Sequence, residues 1–334
     1  MKKGRHTIAV LGAGNFGTAF AHILGQNGHR VHLWNWEEDL IPLKQIKRFR
    51  ENKMYLKGIH LSEHIHPTED IEAAVQNAQF VFFAMPSGHV QHTLSYISSL
   101  IADNAVLVDL SKGIDPHSLA LIPHIMAKHV RPVLKKNIVT ISGPSIASQM
   151  AKGEKTMMNI ASKNVAAMKR VVQVVENGHI RLISTKDVIG VEVAGSFKNV
   201  YAIAMGMCDG LGMSLNTKAA LITYAVEEIA QLAKAMGGNK RTVYGLAGLG
   251  DLVGTALCQD SRNRRFGECL AAGMGSIAAC KKIDQTVEGI DAATCLMRLK
   301  KKYRLTLPFT EMIYLCIKGN TDVRKRFDRF IQTV

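Results

Sequence analysis

No cysteine precedes Cys208 and no histidine follows His179 in a chain of 334 residues. The six cysteines, Cys208, Cys258, Cys269, Cys280, Cys295 and Cys316, form no CxxC pair and no close pair. That spacing argues against a disulfide framework or a thiolate metal site, so they read as small buried helix residues. A catalytic group from the last 155 residues is therefore not a histidine. His60, His64 and His66 lack the cysteine or paired carboxylates that would complete a metal shell, and read as a loop or edge. No apolar run approaches the ~20 residues of a membrane span. The basic start Met1–His6 leads into Ile8-Ala9-Val10-Leu11, which Gly12 and Asn15 end too soon for a signal peptide. The expectation is a cytoplasmic protein without a membrane span.

Glycine and proline are scarce enough, 28 and 8, and hydrophobic residues common enough, 47%, for a globular chain of about two domains. Acidic residues are few. They number 27 against 42 basic ones, a net charge of +15. Such a balance suits nucleic acid, an anionic surface or an anionic small molecule, and composition does not choose. Residues 298–334 hold ten basic and three acidic residues without interleaved stacking aromatics, and read as a solvated helical face.

Patterning divides the chain near residues 185–190. Before it, strands at 7–11, 31–34, 79–84, 105–110, 137–141, 156–161 and 179–184 alternate with helices. Those helices are expected at 15–27, 37–52, 88–101, 117–129, 145–152 and 164–177. That alternation predicts a doubly wound α/β fold with a Rossmann-type parallel sheet over residues 1–187. After it the periodicity is helical only, at 187–208, 216–236, 263–273, 286–302, 308–318 and 321–331. Residues 188–334 are expected to form an all-α substrate and catalytic domain.

Gly12-Ala13-Gly14-Asn15-Phe16-Gly17 is a GxGxxG match that follows a strand and opens a helix. Gly12 makes the tight turn, Gly14 admits a pyrophosphate and Gly17 lets helix and strand pack closely. The second strand ends Trp34-Asn35-Trp36-Glu37-Glu38. Glu37 and Glu38 stand near the position of a ribose-binding acid, but suit a first helical turn equally. No arginine stands there for a 2′-phosphate, so the choice of NAD or NADP stays open.

Four further segments carry chemistry. Ser111-Lys112-Gly113 follows a strand at the edge where doubly wound sheets bind ligands. Ser142-Gly143-Pro144-Ser145-Ile146-Ala147 reads as an anion-binding turn or as a plain serine N-cap. In Glu192–Ala202, the residues Gly195, Lys198, Asn199 and Ala202 share one helix face. Small neighbours desolvate Lys198 and lower its pKa, as a proton-transferring lysine requires. Asp251, in Gly248-Leu249-Gly250-Asp251-Leu252, wants a cationic partner. Ser261-Arg262-Asn263 has the means to grip a phosphate.

GAGNFGTA, LSKGI, SGPSIA, EVAGSFKNVYAIAMG, GLAGLGDLVGT, SRNRRFG and TVEG occur in that order across residues 7–318. This ordered set resembles the NAD(P)-dependent sn-glycerol-3-phosphate dehydrogenases of the soluble bacterial type. The resemblance implies interconversion of dihydroxyacetone phosphate and sn-glycerol 3-phosphate, supplying phospholipid synthesis. It implies Lys198 as proton donor and acceptor at C2, with Asp251 positioning it. It implies that Lys112, Gly143, Ser145, Ser261, Arg262 and Asn263 contact the substrate. The dinucleotide would touch Gly12, Gly14, Asn15, Phe16, Gly17, Trp36, Lys112, Ala147, Arg262 and Glu288. Trp36 departs from the arginine or histidine of many relatives, and Ile146 from a phenylalanine. A homodimer without resident metal or nucleic acid is also implied. Two other readings stand beside it. One is a 3-hydroxyacid dehydrogenase, with a similar layout but a carboxylate grip. The other is a basic nucleic-acid-binding protein on a dinucleotide fold.

Overall fold

The structure is a computed structural model and describes residues 4–259, 261–319 and 322–334. Met1, Lys2 and Lys3 of the basic start, and residue 321 where the last helix was expected to open, lie outside the described residues. The chain forms two compact units. One is Met1–Asp115 with Ala120–Val188, the other Pro116–Leu119 with Ile189–Val334.

The first unit holds strands β1 (Thr7–Leu11), β2 (Arg30–Trp34), β3 (Ile65–Thr68), β4 (Phe80–Phe83), β5 (Val106–Asp109), β6 (Ile138–Ser142), β7 (Thr156–Ala161) and β8 (Ile180–Thr185). They lie in the order β3-β2-β1-β4-β5-β6-β7-β8. Helices α1 (Asn15–Gln26), α2 (Ile41–Phe49), α3 (Ile71–Val75), α4 (Ser87–Ile97), α5 (Ile122–His129), α6 (Ala147–Ala151) and α7 (Val165–Val175) connect them. Alternate residues of the central strands enter different cores. Ile8, Val10, Phe80 and Phe82 pack with Phe20 and Ile23 of α1. Ala9, Leu11, Val81 and Phe83 pack with Val90 and Leu94 of α4. A sheet covered on both faces needs near-continuous apolar strands, as FVFF of β4 shows.

The sheet is parallel from β3 through β6, but β7 runs antiparallel to β6 and β8 follows β7. The short helix α6 and its flanking loops connect β6 to β7. One strand and one α-helix of this unit were absent from the sequence expectation. Edge strand β3 reads IHPT, without an apolar run and with a proline that only an edge tolerates. Its His66 ring lies 5.8 Å from that of His32. The other is α3, five residues long. The helix expected from 117 opens only at Ile122, because Leu119 is left-handed and Ile114 bridges Leu121.

The second unit is helical: α8 (Val188–Gly210), α9 (Leu215–Ala235), α10 (Lys240–Val243), a π-helical turn Leu246–Gly250, α11 (Asp251–Leu257), α12 (Arg262–Ala271), α13 (Ser276–Ile283), α14 (Glu288–Tyr303), α15 (Pro308–Lys318) and α16 (Val323–Thr333). By length and composition α8 is the one helix among the described residues apolar enough to cross a membrane. It is instead a core helix, buried continuously from Gly190 to Cys208. Glu228 of α9 ties three helices together. Its carboxylate accepts from the free N–H groups of Phe309 (2.7 Å) and Thr310 (2.9 Å) at the start of α15, and from Tyr201 Oη of α8 (3.1 Å). Part of the basic tail is structural. Arg298 donates to the His117 carbonyl (3.0 Å) and Arg324 to that of Leu211 (2.8 Å).

Helices α8 and α12 meet backbone to backbone. A Cβ on Gly206 would lie 1.8 Å from the Arg264 carbonyl oxygen, and one on Gly267 2.0 Å from that of Ile203. On an open helix, glycine to alanine adds up to about 1 kcal/mol of stability. Gly206→Ala is expected to do the opposite, lowering the melting temperature by roughly 2–10 °C through overpacking. A melting temperature that holds or rises would refute the close contact.

Candidate active site

In the first unit the glycine-rich turn lies between β1 and α1. Gly12 is left-handed (φ +115°), and a Cβ there would stand 2.3 Å from the Ala84 carbonyl oxygen beyond β4. A Cβ on Gly17 would strike the Gly12 oxygen. These two glycines are thus required by the protein itself. Gly14 is different: a Cβ there meets nothing within 4 Å. It is also the N-cap of α1 and supplies no side-chain cap to the first amides, and Asn15 beside it is exposed. Open space before uncapped amides at a helix's positive end fits a pyrophosphate. Two asparagines hold the turn from outside. Asn35 Oδ1 accepts from Ala13 N (2.9 Å), and Asn52 Nδ2 donates to the Ala13 carbonyl (2.9 Å). Sequence reading missed both. Asn35, a polar residue closing an apolar strand, gave a signal; Asn52 gave none.

Three segments far apart in sequence meet beside this turn. Lys112 Nζ lies 5.3 Å from the centre of the Phe16 ring, within cation–π range, and donates to Ser145 Oγ (3.4 Å). Ser145 is not a helix cap. Ile146 is the N-cap of α6, and the Ser145 hydroxyl donates instead to the Gly143 carbonyl (2.8 Å). Gly143 and Ala147 are buried on either side of it. Asp109, at the end of β5, is fully buried. One oxygen accepts from Ser111 N (2.9 Å), while Oδ2 has no partner among the described residues. Burial pushes its carboxyl from the ordinary 3.8 up to about 7. Trp36 stands apart from these groups, against Trp34, His89 and His92.

In the helical unit, Lys198 and Asp251 form a buried ion pair, with 5% and 1% of their surfaces exposed. The glycine-rich π-helical turn delivers Asp251: a Cβ on Gly248 would meet the Val243 carbonyl oxygen at 1.9 Å. One residue beyond Lys198, Asn199 donates to Glu288 Oε2 (2.9 Å). Asn263 Oδ1 accepts from Gly289 N (2.9 Å), at the start of α14. Ser261 caps α12 through Arg264 N (3.3 Å), so the amides behind Arg262 open that helix. The two nearby arginines differ. Arg264 is consumed by Asp209 (2.6 Å) and Glu268 (3.1 Å). Arg262 has no hydrogen bond or ion pair among the described residues, an unspent guanidinium beside a helix N-terminus. Burial pushes the Cys208 thiol up to about 12 and the Cys316 thiol up to about 11, so neither presents a thiolate at neutral pH. No cluster of three metal-ligating side chains occurs among the described residues.

A sheet unit with a turn open to a pyrophosphate and a helical unit with a buried lysine define a dinucleotide-dependent oxidoreductase. Comparison with known proteins narrows the class. Residues 7–168 match the family model for the NAD-dependent glycerol-3-phosphate dehydrogenase N-terminus, and residues 187–328 that for its C-terminus. The chain belongs to this family, whose members of this kind use NAD or NADP on a CH–OH group. A Bacillus velezensis glycerol-3-phosphate dehydrogenase [NAD(P)+] is 39% identical over 307 residues, 92% of this chain and 88% of that one. One from Clostridium botulinum (strain Alaska E43) is 32% identical over 97% of this chain and 96% of its own. The crystal structure of the Coxiella burnetii glycerol-3-phosphate dehydrogenase shares 31% identity with a TM-score of 0.92, covering 98% of this chain and 99% of that one.

The raised Asp109 value has a signed consequence. Between about pH 4 and pH 7 the folded chain holds a proton that the unfolded chain has released, so stability from this group falls as pH rises. Asp109→Asn keeps the acceptor for Ser111 but does not titrate. Its melting temperature relative to the parent is expected to climb between about pH 5 and about pH 8. A difference that stays flat across that range would show that Asp109 ionises normally.

Proposed function

We propose that this chain interconverts dihydroxyacetone phosphate and sn-glycerol 3-phosphate, with Lys198 as the general acid and base. The observation that carries this reading is the buried pairing of Lys198 with Asp251, in a unit that also holds an Arg262 side chain without a partner among the described residues. The dinucleotide, when bound, supplies or takes the hydride. During reduction negative charge grows on the ketone oxygen, and Lys198 meets it with positive charge and a proton from Nζ. In the reverse direction the neutral amine takes the C2 hydroxyl proton. Asp251 keeps the amine in place through both states. Arg262 grips the phosphate with its two-pronged guanidinium, assisted by Ser261, Asn263 and the first amides of α12. Lys112, Gly143 and Ser145 serve the substrate from the sheet unit. Gly12, Gly14, Asn15, Phe16, Gly17, Trp36, Lys112, Ala147, Arg262 and Glu288 serve the dinucleotide. A cytoplasmic homodimer making a phospholipid precursor completes the reading.

The test is reduction of dihydroxyacetone phosphate followed by loss of nicotinamide absorbance. Lys198→Ala is expected to lower kcat by about 10²–10⁴ while dinucleotide binding is retained. Near-normal turnover would sink the assignment. Arg262→Ala is expected to raise KM for the phosphorylated ketone without lowering the melting temperature. Arg264→Ala, which strips Asp209 of a partner, should do the converse. An unchanged KM in Arg262→Ala would remove the phosphate role.

A further inference from the structure

Residues 34–39 lie directly against the glycine-rich turn. Leu11 of β1 pairs with Trp34 of β2, Gly12 N donates to the Trp34 carbonyl (2.8 Å), and Ala13 N donates to Asn35 Oδ1 (2.9 Å). Whatever sits on that turn has the end of β2 as its neighbour, and in such folds this is where the adenosine ribose is read. The segment is held tightly. Asn35 Nδ2 donates to the carbonyl (2.6 Å) and Oδ2 (3.1 Å) of Asp39, and Tyr55 Oη donates to the same carboxylate (2.9 Å). A single 3₁₀ turn, Glu37–Asp39, results, with Trp36 at its N-cap.

That turn presents three carboxylates in succession. No lysine or arginine pairs with Glu37, Glu38 or Asp39 among the described residues. The side chain that precedes them is an indole. Its ring centre lies 5.0 Å from that of Trp34, 5.0 Å from that of His89 and 6.4 Å from that of His92, the last nearly parallel at 23°. The ring therefore spans from the end of β2 to the first turns of α4. Its Nε1 is buried without a partner among the described residues, so hydrogen bonding between them does not explain this residue.

We infer that Trp36 and the Glu37–Asp39 turn make this chain select NAD(H) over NADP(H). The inference rests on the dehydrogenase reading above and names the dinucleotide that reading leaves open. A 2′-hydroxyl is a donor that carboxylates accept. A 2′-phosphate is an anion that meets like charge and finds an indole in place of a guanidinium.

The experiment is an equilibrium titration of the full-length protein with NADH and with NADPH. Trp34 and Trp36 are the chain's only tryptophans, so energy transfer from their emission to the reduced nicotinamide reports binding at this edge of the sheet. The Kd for NADH is expected to lie at least about tenfold below that for NADPH. Trp36→Arg, followed by nicotinamide fluorescence, should shrink or invert that ratio. Glu37→Lys changes an exposed side chain without a bond in the fold, and should shift the ratio the same way. NADPH binding as tight as NADH, or a ratio unmoved by both variants, overturns the inference. Failure of both dinucleotides to bind overturns it together with the dehydrogenase reading. NADH-selective binding without reduction of dihydroxyacetone phosphate overturns the substrate reading alone and upholds the selectivity.

Discussion

The Lys198–Asp251 ion pair is the constraint around which the helical unit is organised. Two charges almost wholly removed from water are costly, and the attraction between them offsets that cost only while both are present and well placed. The surroundings serve that placement. Lys198 sits in the middle of a helix buried for nineteen consecutive residues, so its position tolerates little drift. Asp251 arrives by a π-helical turn whose glycine at 248 leaves no room for a side chain. Glu228 pins Tyr201, one turn along α8 from Lys198, and caps α15 with the same carboxylate. A charged pair in such a place is hard to account for by stability alone, because an apolar pair of equal volume would serve a core at least as well.

The net charge of +15 proves a poor guide to chemistry, since many cations have internal partners. Lys218 and Arg264 share Asp209, whose carboxyl they hold below its usual range although burial works against them. Lys300 pairs with Glu311, while Arg298 and Arg324 satisfy carbonyl oxygens. Against that background a guanidinium without a partner among the described residues, such as that of Arg262, is more informative than the total.

Legibility in the sequence followed the range of the interactions. The strand, turn and helix around Gly12–Gly17 are local, and their glycine spacing states a backbone need directly. The α/β alternation and the long helix α8 were likewise visible as periodicity. Short elements were not: α10, α11 and α13 run four to eight residues, too few for a pattern. The reversal at β7 is a matter of strand direction, which the apolar residues of a strand do not encode. Long-range polar contacts were also hidden. Nothing near Asn52 announces that it clasps Ala13, and nothing near Glu228 announces Phe309. At Ser145 local rules left a helix cap and an anion-binding turn open, and the hydroxyl turns back to Gly143 and faces Lys112.

The glycine contact between α8 and α12 has a wider meaning. Where two helices touch through main-chain atoms, their separation is fixed by atomic radii and owes nothing to which side chains fill the neighbouring core. The lysine on one helix and the arginine that opens the other are thus referred to a common ruler. Side chains in the packing around it are free to change without changing the distance between the two helices at that contact.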